Sequence, residues 1–471
     1  MNKYLTIVIL TTLSSLDLYA QTQKMAPRLV VSVMIDQLTT EDLEQFNALY
    51  SNDGFKKILH QGTVYEHAKY DFQTTDLAAS TSAVATGTTP YYNGVTAATF
   101  LNRNTLRPQQ STFDTKFFTS PNCLSSSTIG DELKMATNGA ALVYAIAAEK
   151  DAAVLSGGHA ADAAFWIDDK TKRWITSTYY PSTAQKWIKA YQATHQQFQG
   201  GVDYNASVKD LALHCVEAHA MGKDNNSDLL FVTFSAVPQQ QQTNSNIAKE
   251  EIYRNLDKNL ASLISGIENK IGKDQVVYFL TSSGYTGIQE KEYAKYKIPT
   301  GVFNISRTTN LLNIYLNAIY GSGRFVEATH KNEIYLNKKL IEQKHITYSD
   351  ILKLSREFLI QNSGIKEVYT ADLLLFNSYN QPTIRNGFNP EISGDIILKV
   401  APGWKILHEE TKEEYTPGNI YIPFPIVIYG GGIEAKTIST TVSTGKIAPT
   451  IAKIIRIRAP NACTEAPLPQ Q

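Results

Sequence analysis

Cysteine is scarce, and its scarcity limits the metal chemistry available. The 471 residues hold only Cys123, Cys215 and Cys463, with no C-x-x-C spacing, which excludes a thiolate-built zinc knuckle. In an oxidising compartment one pair of the three can be bridged, and the spacing does not select which. An excess of either charge is also missing, since 44 Lys+Arg balance 44 Asp+Glu. That balance argues against binding nucleic acid through bulk electrostatics. Beyond the N-terminus no apolar run approaches the roughly 18–20 residues that span a bilayer.

The first twenty residues read as an export signal. Lys3 is followed by the apolar stretch Leu5–Leu13, and Ala20 offers a small residue for cleavage. The expected mature chain therefore covers residues 21–471 and is periplasmic or secreted. No cysteine follows the apolar stretch to carry a lipid anchor.

Continuous apolar runs at Leu29–Ile35, Ala141–Ala147, Leu229–Phe234, Val276–Leu280 and Pro425–Tyr429 suit strands covered on both faces. Helical patterns lie between them. Thr39–Ala48 follows the first run, and Ile252–Glu268 repeats apolar residues near a 3.6 period. This alternation predicts an α/β fold with a doubly wound sheet. The Tyr- and Asn-rich stretch at about 286–394 has a different texture and reads as an inserted cap, with another strand, Ile396–Val400, after it.

Ligand sites in open α/β sheets form at the carboxyl ends of strands. Here those ends carry Ile35-Asp36-Gln37, Phe234 through Gln239, Thr281 through Tyr285, and, before the last strand, Tyr421 through Phe424. Only the first offers a carboxylate; Ser, Gln, Gly and Pro are poor ligands for a divalent cation. The nine histidines, at 60, 67, 159, 195, 214, 219, 330, 345 and 408, do not directly follow a predicted core strand. Asp76 precedes the small-residue run Leu77–Thr86 and Gly87. It is expected to cap that helix, whose start is a natural anion site.

The chain resembles the phosphate-irrepressible branch of the alkaline phosphatase superfamily, which includes nucleotide pyrophosphatases and phosphodiesterases. The likeness runs from Arg28 to about Cys463. It rests on Val30–Gln37, Thr86-Gly87 with Asn93-Gly94-Val95, Ser127–Asn138, Gly157–Asp169, Trp174–Tyr180, Lys297–Val302, Ser393–Trp404 and Ile447–Ile455. It implies a mixed sheet of the alkaline phosphatase type, two zinc ions held by six Asp and His side chains, and a Thr nucleophile at a helix start.

Carried over position by position, the first-strand Asp is kept as Asp36. The remaining ligand positions fall on or near Pro238, Gln242, Ser283, Gly284 and Pro423. The nucleophile falls on Leu77, the substrate-binding Asn near Ala98, and a Lys-x-Arg pair near Glu149 and Asp151. His159 matches a family histidine outside the metal set. One carboxylate cannot hold a zinc pair, so no cofactor is expected. The leading expectation is an exported pseudophosphatase that binds a protein, a glycan or a small ligand. The alternatives are an active phosphomonoesterase or phosphodiesterase with rearranged ligands, and an unrelated α/β binding protein.

Overall fold

Strand β1 (Leu29–Asp36) is buried along its whole length, because parallel strands lie on both sides of it. It pairs with β6 (Asp228–Ser235) and with β7 (Val276–Ser282). Successive side chains of a strand point to opposite faces, and β1 divides its apolar residues accordingly. Leu29, Val31, Val33 and Ile35 enter one core cluster, while Val30 and Met34 enter the other.

Among the described residues the sheet has ten strands. Beyond β6 come β3 (Val143–Ala147), β4 (Ala163–Ile167) and β5 (Trp174–Ile175). Beyond β7 come β8 (Phe424–Gly430), β2 (Thr63–Lys69) and β9 (Lys436–Ile438), with β10 (Val442–Ser443) also pairing with β2. β8 runs antiparallel to both β7 and β2, so the sheet is mixed. The first core cluster packs α1 (Thr40–Gln45), α2 (Phe55–Gln61), α6 (Tyr204–Ala218) and α7 (Asn246–Ile271) against one face. The second packs α3 (Leu77–Thr86), α4 (Ile129–Ala136), α5 (Lys150–Gly157) and α8 (Ile447–Ile455) against the other. This is the doubly wound sheet expected from the strand and helix patterns, and it is mixed as the resemblance implies. The helix expected at Thr39–Ala48 ends sooner, at Gln45, and a 3-10 turn over Asn47–Leu49 follows.

This is a computed structural model, and it describes residues 25–73, 76–195, 203–237, 246–286, 296–376, 381–416 and 422–469, with backbone alone at 246–248. The expected export signal lies outside the described residues. Among the described residues no helix is long and apolar enough to cross a membrane. All three cysteines are free thiols.

Between β7 and β8 the chain builds a second layer. Its four-stranded sheet runs Val326–His330, Glu333–Leu336, Ile396–Val400, Ile365–Thr370, and its three-stranded sheet runs Gly301–Asn304, Trp404–His408, Glu413–Tyr415. The strand Ile396–Val400 sits inside the larger of these, so the layer extends past residue 394.

One ion pair ties this cap to the main body. Arg103, at the turn of the hairpin that follows α3, donates to both carboxylate oxygens of Asp395 at 3.1 Å and to the Ser393 carbonyl at 2.6 Å. Asp395 also accepts from the Leu336 amide and the Tyr348 hydroxyl. Burial alone would raise the Asp395 carboxyl, but the Arg103 guanidinium, with the Tyr348 hydroxyl and the Lys338 ammonium, holds the group below its ordinary range. The lowered folded value means that this stability is present above the ordinary carboxylate range and is lost as pH falls through the folded value. Asp395→Asn leaves Arg103 half-buried without its charge partner and should cost roughly 3 kcal/mol in denaturant titrations at neutral pH. The gap to wild type should shrink in acid, and a gap independent of pH would show that the charge of Asp395 contributes nothing.

Candidate ligand site at the strand ends

The carboxyl ends of β1 and β7 are stitched together by Ser283. Its hydroxyl donates to Asp36 Oδ1 at 2.7 Å and accepts from the Gln37 amide at 2.8 Å. Its carbonyl accepts from Ser80 Oγ of α3 at 2.6 Å. Three segments far apart in sequence thus meet at one small side chain. Tyr285 and Gln37 also hydrogen-bond Asp36, and Asp36 is 8 % exposed. A buried carboxylate needs such donors. Burial pushes the Asp36 carboxyl up, the hydrogen bonds oppose this, and the charge of Asp76 adds to the rise. Burial also raises the Tyr285 phenol, with Asp36 reinforcing it.

The neighbouring aromatic rings leave no space for a side chain at position 284. Gly284 has φ +71°, and a Cβ built there would lie 2.6 Å from two ring carbons of Tyr70 and 3.0 Å from the ring of Phe424. Tyr70 cannot easily give way. Its ring centroid packs 5.5 Å from that of Phe72 and 5.6 Å from that of Phe424, and its hydroxyl donates to the Ser282 carbonyl at 2.7 Å.

Helix α3 starts beside this stitch. Asp76 caps it, as expected from its position ahead of the small-residue run, accepting from the Ala79 amide at 3.3 Å, while its second oxygen accepts from the Ala98 amide at 2.8 Å. Gly87 closes the helix in the left-handed region at φ +64°. Every residue of α3 is buried, and Leu77, its first residue, belongs to the apolar core. The small side chains let α3 lie tightly between the sheet and its neighbours, and Ser82 and Thr86 satisfy their hydroxyls on carbonyls one turn back.

The amides opening α3, a natural anion site, are candidate donors for Asp36. The structure gives that role to Ser283, Tyr285 and Gln37, because Asp76 has taken the Ala79 amide. Pro423 is exposed, and its carbonyl accepts from the Thr40 amide at 2.8 Å. Pro238 and Gln242 lie outside the described residues. Glu149 precedes α5 at its N-cap. Its carboxyl is raised by burial and by the nearby charges of Asp169, Asp36 and Asp151. Asp151 accepts from Thr112 Oγ1 at 2.5 Å and is likewise raised by burial, with Asp76 adding to it. Asp36, Asp76, Glu149 and Asp151 therefore form a chain of mutually repelling carboxylates around the strand ends. His159 pairs with Asp131 at 3.1 Å, beside the capping box of α4.

A zinc pair does not fit these residues. Asp36 is enclosed by hydroxyl and amide donors, Leu77 presents hydrocarbon, and a side chain at 284 would collide with Tyr70. Among the described residues no group of three or more His, Cys, Asp or Glu is arranged to hold a metal ion.

The sequence profile of the family described as type I phosphodiesterase / nucleotide pyrophosphatase matches residues 30–420. The chain is 27% identical to a calcium-transporting ATPase of Myroides odoratus, over 94% of each chain. It is 23% identical to the alkaline phosphatase PafA of Elizabethkingia meningoseptica, again over 94% of each. The crystal structure of alkaline phosphatase PafA superposes with a TM-score of 0.81 at 23% identity, covering 94% of this chain and 98% of that one.

The raised folded value of Asp36 fixes the sign of its pH dependence. The folded chain holds this proton more tightly than the unfolded chain, so the group's contribution is greatest below the ordinary carboxylate range and is lost as pH rises through the folded value. Asp36→Asn should cost about 1 kcal/mol or less, and its thermal-melt gap to wild type should narrow or reverse between about pH 4 and about pH 8. Asp36→Ala strands the Ser283 and Tyr285 hydroxyls and should cost roughly 1–3 kcal/mol. A gap for Asp36→Asn that widens as pH rises would contradict this account.

Proposed function

The chain belongs to the type I phosphodiesterase / nucleotide pyrophosphatase family, and from that premise we propose that it is an exported member that has lost zinc-dependent phosphoester hydrolysis and acts by binding. The observation that carries this reading is the closed join at Ser283 and Gly284, where hydroxyl bonds and the Tyr70 ring occupy the volume a second metal ligand would need.

The nucleophile position supports it independently. The resemblance places the family's Thr at Leu77, and a leucine side chain has neither a proton to lose nor an oxygen to attack with. Electrostatics point the same way. A phosphate diester or monoester needs cations or amide donors around it. The strand ends instead present Asp36, Glu149 and Asp151, while the Ala79 and Ala98 amides are spent on Asp76. The N-terminal export pattern and the absence of a membrane-crossing helix among the described residues suit a periplasmic or secreted protein.

The test is hydrolysis of p-nitrophenyl phosphate and bis(p-nitrophenyl) phosphate by the purified mature chain, with and without added zinc. Nitrophenol release should not exceed the protein-free blank under either condition. Zinc-stimulated turnover that disappears in Asp36→Asn would establish the rival reading, an active phosphoesterase with rearranged ligands.

A further inference from the structure

Apart from the closed strand ends, an open cleft of about 100 Å³ lies where the cap meets the main body. The hairpin that follows α3 supplies Thr99 and Phe100, the cap supplies His330 and Asn332, and Thr383 and Tyr415 complete the wall. The cleft is close to Asp76, whose charge is felt at the Tyr415 phenol.

The groups in this wall are neutral or already paired. His330 is pushed down to about 4 by burial, with the Lys331 ammonium adding to the effect, so its ring is uncharged at neutral pH. Its buried Nε2 has no hydrogen-bond partner among the described residues. The Lys331 ammonium rests on the Thr99 carbonyl at 3.3 Å. Burial raises the Glu333 carboxyl, and the Tyr335 hydroxyl donates to it at 2.5 Å. Burial likewise raises the Tyr415 phenol, with Glu333 and Asp76 reinforcing it, so it remains a hydrogen-bond donor. Asn332 is held in place by its amide nitrogen, which donates to the Leu398 carbonyl at 2.9 Å. Neutral, fixed hydrogen-bonding groups beside aromatic rings match ligands that carry both hydroxyls and apolar faces. Sites built to hydrogen-bond hydroxyls also reject ligands that lack them, because the buried polar groups are then left unpaired. An anion would find only one ammonium here, already engaged, with Asp76 nearby.

We infer that this cleft binds a neutral, hydroxyl-rich ligand of the oligosaccharide class, hydrogen-bonded by Thr99, Asn332 and Thr383 and stacked on Phe100 and Tyr415. This rests on the proposed binding function and gives it a ligand class.

The probe is an array of immobilised neutral oligosaccharides alongside sialylated and sulfated ones, exposed to the mature chain. Retention should be confined to neutral glycans. Thr383→Trp, which fills the cleft, should weaken it by about tenfold or more, equivalent to about 1.4 kcal/mol. Phe100→Ala serves as a second variant should Thr383→Trp fail to fold, and circular dichroism melts establish folding for each. Glu217→Gln, in an exposed surface pair with Lys270 away from the cleft, should leave retention unchanged. Retention of anionic glycans alone, retention of none, or neutral retention indifferent to both cleft variants would overturn the inference. Zinc-dependent phosphoester turnover would instead overturn the binding function on which it rests.

Discussion

The Ser283 hydroxyl is the contact on which the site depends. By donating to Asp36 and accepting from the Gln37 amide it joins the ends of two central strands, and its carbonyl fastens the start of α3 to the same point. A hydroxyl can do this because it donates and accepts at once. An ionised carboxylate in its place would lack the proton for Asp36 and would add charge beside it. The packing of Tyr70 against Phe72 and Phe424 then follows, since it requires that position 284 carry no side chain. The strand ends are held by protein–protein hydrogen bonds and aromatic packing.

The acidic surroundings of this closure meet counter-charge only at their outer members, where Lys150 pairs with Asp151 at 3.9 Å and Lys172 acts on Glu149. Asp36, Glu149 and Asp151 each carry a raised carboxyl, with burial the leading cause in every case. The carboxylates gather at the strand ends, whereas the cleft beside the cap is walled mainly by neutral groups. The Arg103–Asp395 pair keeps the cap in register with the hairpin that supplies Thr99 and Phe100, so the cleft is built on elements that are fixed to each other.

Much of the scaffold was legible in the sequence. The five apolar runs became central strands because strands buried on both faces need no polar alternation, and Asp76 before a run of small residues signalled its own cap. At the strand ends side-chain chemistry was legible and contacts were not. Leucine at 77 offers no nucleophile and glycine at 284 no metal ligand, and both could be read directly. That Tyr70 makes the glycine obligatory could not, since the two positions are brought together only by tertiary packing. Tyr285 as a partner of Asp36 was missed for a similar reason, although it ends the strand segment singled out for Ser283 and Gly284. The cleft was invisible because its wall is assembled from residues near 99, 330, 383 and 415, none of which belongs to a local pattern.

The most direct test of the central claim, that the strand ends no longer form a metal site, is the metal content of the protein itself. The protein would be purified without chelators, equilibrated with zinc, passed through a desalting column and analysed by elemental mass spectrometry. The account predicts well under one tightly held zinc ion per chain. A content close to two, resistant to desalting, would contradict it.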